Sequence, residues 1–404
     1  MADDVGVWLD WHGPRQIGVL RRIPGRGRER VSFQYISDWV ADPDAFPISP
    51  EYPLTAGAFV PPAGHDILAP LGDSAPDRWG RTVMRRYEGR ASRAEGRGAK
   101  VFQETDYLLG VNDGTRLGAL RFSTDGVFQA PKGIGVPALL ALGDLLAAAQ
   151  RVVRGEETDE DLQMLFAPGS SLGGARPKAS VFDRNNRLSV AKFPKDDDEY
   201  SIERWETIAL DMAAAAGINT ANHTLETVGP SKVILSHRFD RDGDQRIPFI
   251  SAMAMLDGKD GDKFSYIDLA DVIASESAQP EKDWRELFRR VVFSIMVNNT
   301  DDHMRNHGFL RSKGGWRLSP AYDINPVPNA PRVLSSYVSE DNPDGSLALL
   351  KESAAGYMIE NATVDRIIEE VASVVDRWPE FARQRGAPER EVRLLETAFS
   401  TSIA

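Results

Sequence analysis

The sequence predicts an α+β fold, with strands toward the N-terminal side and a mainly helical C-terminal third. Three observations predict it. Val5-Gly6-Val7-Trp8-Leu9 and Gln16-Ile17-Gly18-Val19-Leu20 flank a His12-Gly13-Pro14 turn, the pattern of a small hairpin. Lys178-Ala179-Ser180-Val181-Phe182 and Leu188-Ser189-Val190-Ala191-Lys192-Phe193 repeat that pattern around an Asp183-Arg184-Asn185-Asn186 turn. Downstream the period changes: Phe288, Val291, Val292, Ile295 and Met296 fall at i, i+3, i+4, i+7 and i+8, the stripe of a buried helix. Val364, Ile367, Ile368, Val371, Val374, Val375 and Trp378 repeat that spacing up to Pro379.

The remaining elements follow in order. Proline-rich ground from Phe46 to Pro62 reads as extended loop, and a helical pattern runs from Ser74 to about Tyr87 with Pro76 suited to its first turn. A second helix is expected over Val136 to Val153, from the apolar face of Leu139, Leu140, Leu142, Leu145, Leu146, Val152 and Val153. The acidic stretch Gly155 to Asp161 then marks a junction at roughly residues 150–165. A helix is expected from about Ile202 to Ala216, and a strand over Asn306-His307-Gly308-Phe309-Leu310. No internal repeat or long low-complexity tract interrupts this order.

Composition narrows the class. With 404 residues, 42% hydrophobic and 27% charged, the chain can bury a sizeable core, as two or three domains or one enzyme with a cleft. No stretch approaches the roughly 18 consecutive apolar residues of a membrane span. The acidic start, Met1-Ala2-Asp3-Asp4-Val5, lacks a secretory signal, and zero cysteines exclude disulfides and thiolate metal sites, so a cytoplasmic location is expected. A net charge of −12 argues against a surface that wraps nucleic acid. Two basic segments stand out, Arg21-Arg22 to Arg30 and Arg78 through Lys100, and the ordinary reading of both is a solvated face.

The chemistry concentrates in Val297-Asn298-Asn299-Thr300-Asp301-Asp302-His303-Met304-Arg305-Asn306 and Leu318-Ser319-Pro320-Ala321-Tyr322-Asp323. An acid, an amide five residues on and a second acid twenty-two residues on supply what phosphoryl transfer needs: a carboxylate to orient the attacking hydroxyl and oxygen ligands for magnesium. The rival reading is a capping turn rich in Asp and Asn. Gly169-Ser170-Ser171-Leu172-Gly173-Gly174-Ala175-Arg176-Pro177-Lys178 offers small residues and free backbone N–H groups, suited to cradling phosphate or simply to a connection. Lys192, in an apolar strand, needs an anionic partner or an edge from which to reach water; Glu206, or else Glu203, in the next helix could pair with it. His303 and His307 are four apart, but Gly308 breaks the continuous helix that a shared zinc face requires, so His303 is expected to support the loop backbone instead. A glycine-rich loop, strand lysine, helix glutamate, Asp/Asn pair and later aspartate follow one another as in kinase-like phosphotransferases.

These motifs resemble the HipA-family kinases, serine/threonine kinase toxins of two-gene toxin–antitoxin modules. Ser171-Leu172-Gly173-Gly174-Ala175-Arg176-Pro177-Lys178 is similar to the family's S-x-x-G-A-x-x-K loop, Arg238-Phe239-Asp240-Arg241 to its R-F-D-R signature, Thr300 to Asn306 to its catalytic loop and Leu318 to Asp323 to its metal motif. Pro76-Asp77-Arg78, Asp106 to Gly110 and Gly118-Ala119-Leu120 resemble the N-terminal module. The resemblance implies a bilobed protein-kinase-like fold with a mixed N-lobe and a mainly helical C-lobe. Its parts would be residues 1–150, an N-terminal module with part of the N-lobe; 151–245, the nucleotide-binding part; and 246–404, the helical C-lobe with the catalytic and metal loops.

It further implies ATP and Mg2+ as cofactors, Asp301 as catalytic base, and Asn306 and Asp323 as magnesium ligands. Ser171, Gly173, Gly174, Ala175, Lys178, Lys192, Glu206, His237, Phe239, Asp240 and His303 would complete the nucleotide site, with Ser171 autophosphorylated to switch the kinase off. The implied partners are a small helix-turn-helix antitoxin resembling HipB, DNA reached only through it, and a protein substrate such as a translation component. Three positions depart from the family pattern: His237 stands where a glutamate is frequent, Arg305 replaces a lysine, and Asp302 replaces a commonly small residue, which places a second carboxylate beside Asp301 and leaves the number of metal ions open. A small-molecule kinase, or a catalytically weak regulatory partner of a DNA-binding antitoxin, are the rival functions.

Overall fold

The computed structural model describes residues 4–23, 25, 27–129, 136–137, 139–166 and 174–402. It divides into two compact units: Met1–Asp196 with Val228–Pro230 and Asp240–Lys259, and Asp197–Thr227 with Ser231–Phe239 and Asp260–Ala404.

In the first unit, the expected hairpin forms from strands Asp4–Asp10 and Pro14–Ile23 and becomes the centre of a six-stranded antiparallel sheet. Arg30–Tyr35 and then Ala58–Phe59 extend it on one side, Leu120–Thr124 and then Val127–Phe128 on the other. Alternation buries Val5, Val7 and Leu9 on one face. Gly18 lies opposite Tyr35 and against Phe33, whose ring would be 2.4 Å from an added Cβ, so the strand needs glycine there. A second hairpin, Lys178–Phe182 with Leu188–Lys192, forms as its period predicts.

Helix boundaries differ from the sequence reading for local reasons. The helix Arg78–Ala94 is capped by Asp77, whose side chain accepts from the Gly80 N–H at 2.7 Å, so Pro76 precedes the cap instead of entering the first turn. The helix Leu142–Arg154 starts later than Val136, directly after a 3-10 turn at Leu139–Ala141, and the Phe182 N–H donates to the Pro137 carbonyl at 3.0 Å. The acidic stretch is not a bare linker. Arg86 donates to Glu157 at 2.7 Å, Arg90 to Asp159 at 3.1 Å, and Arg151 pairs with Asp161 at the start of the helix Asp159–Phe166. Arg81 grips Glu104 at 2.5 and 2.7 Å, and Arg97 pairs with Glu88. Four arginines of the basic segment 78–100 are thus neutralised within their own unit, which weakens its reading as a DNA-binding face.

The second unit is mainly helical. Pro280–Met296 buries Phe288, Val291, Val292, Ile295 and Met296, the stripe read from sequence. Asn361–Val375 does the same with its own stripe, but Trp378 begins a separate helix, Trp378–Gln384, in which Pro379 occupies the first turn. Proline opens that helix, where its missing N–H costs nothing, instead of only ending the one before. Among the described residues no helix is long and apolar enough to cross a membrane.

A pH-dependent tie joins elements of this unit. His223 Nε2 lies 3.2 Å from Asp211 Oδ1, and Arg385 donates to the same carboxylate at 2.6 and 2.9 Å. Burial lowers the His223 pKa, but the hydrogen bond and charge of Asp211 outweigh it and raise the group above its ordinary 6.5. The stabilisation is complete below the unfolded value and is lost as pH rises through the folded one. Comparing the parent with His223→Gln, the parent's Tm should decline more steeply from pH 6 to pH 8 than the variant's; parallel curves would show no linkage.

Candidate active site

Residues 297–306 owe their position to the way one helix ends. At the end of Pro280–Met296, the Asn299 N–H donates to the Ser294 carbonyl at 2.9 Å and the Asn298 N–H to the Ile295 carbonyl at 3.3 Å, with Asn298 at φ +54°. This is a Schellman cap with asparagine in the left-handed position usually taken by glycine. The capping turn read from the sequence is present, and it is what positions Asp301. It is no surface turn, since Asn298 and Asn299 are buried. The Asn298 side-chain amide donates to the carbonyls of Val327 and Ala330 at 2.8 and 3.1 Å.

The structure brings Asp301, Asn306 and Asp323 together within the second unit. Asn306 Nδ2 donates to the Asp301 carbonyl at 3.0 Å, which turns its Oδ1 away from that bond. Tyr322 donates to the Arg305 carbonyl at 2.7 Å, fixing the residue before Asp323 against the loop. Asn325 completes the link: its N–H donates to Asn299 Oδ1 and its Nδ2 to Asp323 Oδ1, both at 3.0 Å. Asp323 has φ +58°, a left-handed conformation that a non-glycine residue keeps only when its surroundings impose it, and such residues cluster at functional sites.

Three carboxylates, Asp301, Asp302 and Asp323, lie near one another here. Partial burial raises the Asp301 pKa, His303 opposes the rise, and the carboxylates of Asp323 and Asp302 add to it. Two carboxylates and an amide oxygen form a hard-oxygen donor set suited to Mg2+, which takes one or two protein carboxylates and completes its shell with phosphate and water. Among the described residues no group of three His, Cys, Asp or Glu side chains could hold a metal by itself, so the fit depends on the Asn306 amide and on a ligand's oxygens.

Asp302 puts a second carboxylate beside Asp301, as the sequence shows, but its side chain is buried, accepting from Tyr266 Oη at 2.7 Å and Ser294 Oγ at 3.0 Å, with His307 Nε2 3.0 Å away. Burial alone would raise its pKa; the charge and contact of His307 and the bonds from Tyr266 and Ser294 hold it below the usual carboxylate range. The expected loop support from His303 is not made through Nδ1, which is buried with no hydrogen-bond partner among the described residues. Tyr266, Ser294 and Asn325 were missed, and His307 was read only against a zinc pairing with His303; their convergence comes only from tertiary structure.

The other site candidates fall as follows. Phe239 packs against Tyr322, ring centroids 5.5 Å apart, beside Asp323 in the second unit. The His237 N–H donates to the Asn222 carbonyl at 2.8 Å. Glu206 and Glu203 are both buried in the helix Ile202–Ala215, so burial does not choose between them. In the first unit, Lys178 and Lys192 are cross-strand partners, and Lys178 Nζ lies 3.0 Å from Asp77 Oδ2, both side chains buried. Gly174 has φ +109°, and Ala175 follows it into the strand Lys178–Phe182. Asp240 is fully buried, accepting from the Gly118 N–H and Arg241 Nη1 at 2.7 Å each, so this carboxylate oxygen already has protein partners. Ser171 and Gly173 lie outside the described residues.

Against known families, residues 170–378 match the HipA-like C-terminal domain and residues 7–103 the HipA N-terminal domain. The chain belongs to the HipA family. Among the curated relatives, a protein named putative kinase from Haemophilus influenzae is 31% identical over 191 residues, 42% of this chain and 56% of that protein. The serine/threonine-protein kinase toxin HipA of Shewanella oneidensis is 22% identical over 264 residues, 54% of this chain and 59% of that protein. The chain spans about half the length of the curated relatives it matches. HipA in the Shewanella oneidensis complex of HipA, HipB and operator DNA superposes with a TM-score of 0.67 at 18% identity, covering 99% of this chain and 96% of that one. The fold is thus the α+β, HipA-type, kinase-like fold expected from the sequence.

Proposed function

We propose that the chain is a serine/threonine protein kinase that transfers the γ-phosphoryl group of ATP to a protein, as the toxin of a HipBA-like module. The observation that carries this reading is the set of bonds joining Asp301, Asn306 and Asp323 through Asn299, Asn325 and Tyr322. The Asp301 carboxylate would accept the proton of the attacking hydroxyl and fix its direction, while Asn306 Oδ1 and the Asp323 carboxylate would hold Mg2+. When bound, Mg2+ neutralises phosphate charge and draws the nucleotide oxygens into place. Phe239 would offer an aromatic face to the adenine, and Lys192, Lys178 and the glycine-rich loop with Gly174 and Ala175 would surround the phosphates. Ser171 is proposed as the autophosphorylated residue, because a phosphate of about −2 charge there would repel those of ATP. The names of the relatives support a kinase and toxin, and the complex seen for the Shewanella protein supports a HipB-like partner through which DNA is reached.

The test is transfer from γ-labelled ATP with the products resolved by mass spectrometry. Label should appear on Ser or Thr of polypeptides, including Ser171 of the chain itself, and should vanish when EDTA removes Mg2+. Asp323→Asn should raise the Mg2+ concentration needed for half-maximal transfer by at least about tenfold, since even residues behind metal ligands cost that much. Label on a small molecule and on no polypeptide would sink the protein-kinase reading.

A further inference from the structure

We propose that Asp302 is a positioning residue for Asp301: a buried anionic hub that fixes the catalytic-loop backbone and so aims the neighbouring carboxylate. The inference rests on the phosphoryl-transfer reading and deepens it.

Adjacent carboxylates are divided between two environments here. Asp301 is open to solvent, whereas Asp302 is 4% exposed. The Asp302 side chain meets three others, each from a different element: Tyr266 of the helix Tyr266–Glu276, Ser294 of the helix Pro280–Met296, and His307 just before the strand Gly308–Ser312. Its main chain is held by a fourth, since Ser336 Oγ donates to the Asp302 carbonyl at 2.7 Å. The flanking peptides are tied as well. The Ser335 N–H donates to the Thr300 carbonyl at 3.0 Å, and the Asp301 carbonyl accepts from the His303 N–H and Asn306 Nδ2 at 2.9 and 3.0 Å. Rotating the Asp301–Asp302 peptide would break several of these bonds, and those made by the buried Asp302 and Ser336 would leave unmet polar groups away from water, where they are costly.

This separates the two acids by role. Asp302 receives donors from the protein interior and takes no part in the reaction, while Asp301 needs its carboxylate directed at a hydroxyl. Misplacement of a reacting group by about 1 Å can cost on the order of a hundredfold in rate, so the hub should show itself in turnover.

The experiment uses the full chain with MgATP, measuring kcat and KM for label transfer together with Tm. Asp302→Asn should lower kcat by about thirtyfold or more and change KM for MgATP by less than about threefold. Tyr266→Phe and Ser336→Ala should each lower kcat by about three- to tenfold, and Tyr266→Phe combined with Asp302→Asn should be no worse than Asp302→Asn alone, as expected for residues acting as one unit. If Asp302→Asn fails to fold, the two milder variants carry the test. Parental kcat in folded variants with a reduced Tm would overturn the proposal, leaving Asp302 a stabilising residue only. Parental turnover in Asp301→Asn would instead overturn the kinase reading, and the aiming role with it.

Discussion

Replacing Lys178 with methionine is expected to destabilise the chain by about 3–5 kcal/mol, the usual cost of removing one partner from a buried ion pair. Lys178 Nζ and Asp77 Oδ2 are 3.0 Å apart, with side-chain exposures of 4% and 3%. Asp77 also caps the helix Arg78–Ala94 through the Gly80 N–H, and Trp79 Nε1 donates to the Lys178 carbonyl at 3.0 Å, so the pair ties that helix to the strand Lys178–Phe182. Cross-strand pairing sets Lys178 beside Lys192, and like charges directly opposite repel unless one is compensated. Asp77 supplies that compensation.

The sign of the pH dependence follows from Asp77. Burial raises its pKa from the ordinary 3.8, while Lys178, Gly80 and Trp79 lower it, and the net direction is up. A carboxylate raised in the folded state costs stability as pH climbs through its folded pKa, and losing Lys178 enlarges that rise. Thermal melts should therefore show Lys178→Met lower in Tm by on the order of 10 °C at pH 7 and by less at pH 5. Combining it with Asp77→Asn, which keeps the cap but removes the charge, should recover much of the loss. A Tm within about 2 °C of the parent at pH 7 would contradict the pairing.

Elements with a local period were legible in the sequence. Val5 to Leu20 and Lys178 to Phe193 have alternation plus a turn, and the stripes ending at Met296 and Val375 have helical spacing, so each is specified by neighbours in sequence. The strands Arg30–Tyr35 and Leu120–Thr124 were not read, because they are defined by partners far along the chain. Likewise, Glu157 and Asp159 read as a charged junction until Arg86 and Arg90, 71 and 69 residues away, were seen to face them. Asp301, Asn306 and Asp323 were legible as a group because phosphoryl transfer asks for those chemical types, and the structure brings the three together. Their supports were not: nothing local marks Asp302 as inward and Asp301 as outward, which is decided by Tyr266, Ser294 and His307.

Asp301 bears the largest catalytic expectation. Asp301→Asn preserves size and leaves the Asp301 backbone carbonyl available to Asn306 Nδ2, so the loop should remain formed. On the proposed reading it removes the acceptor for the proton of the attacking hydroxyl, and general-base catalysis of this kind contributes about 10²–10⁴ in rate. The measurement is label transfer from γ-labelled MgATP to polypeptide by the full chain, parent against Asp301→Asn, with Tm recorded for both. A fall in turnover of at least about a hundredfold, with Tm near the parent's, is the expected result; transfer at the parental rate by the folded variant would contradict it.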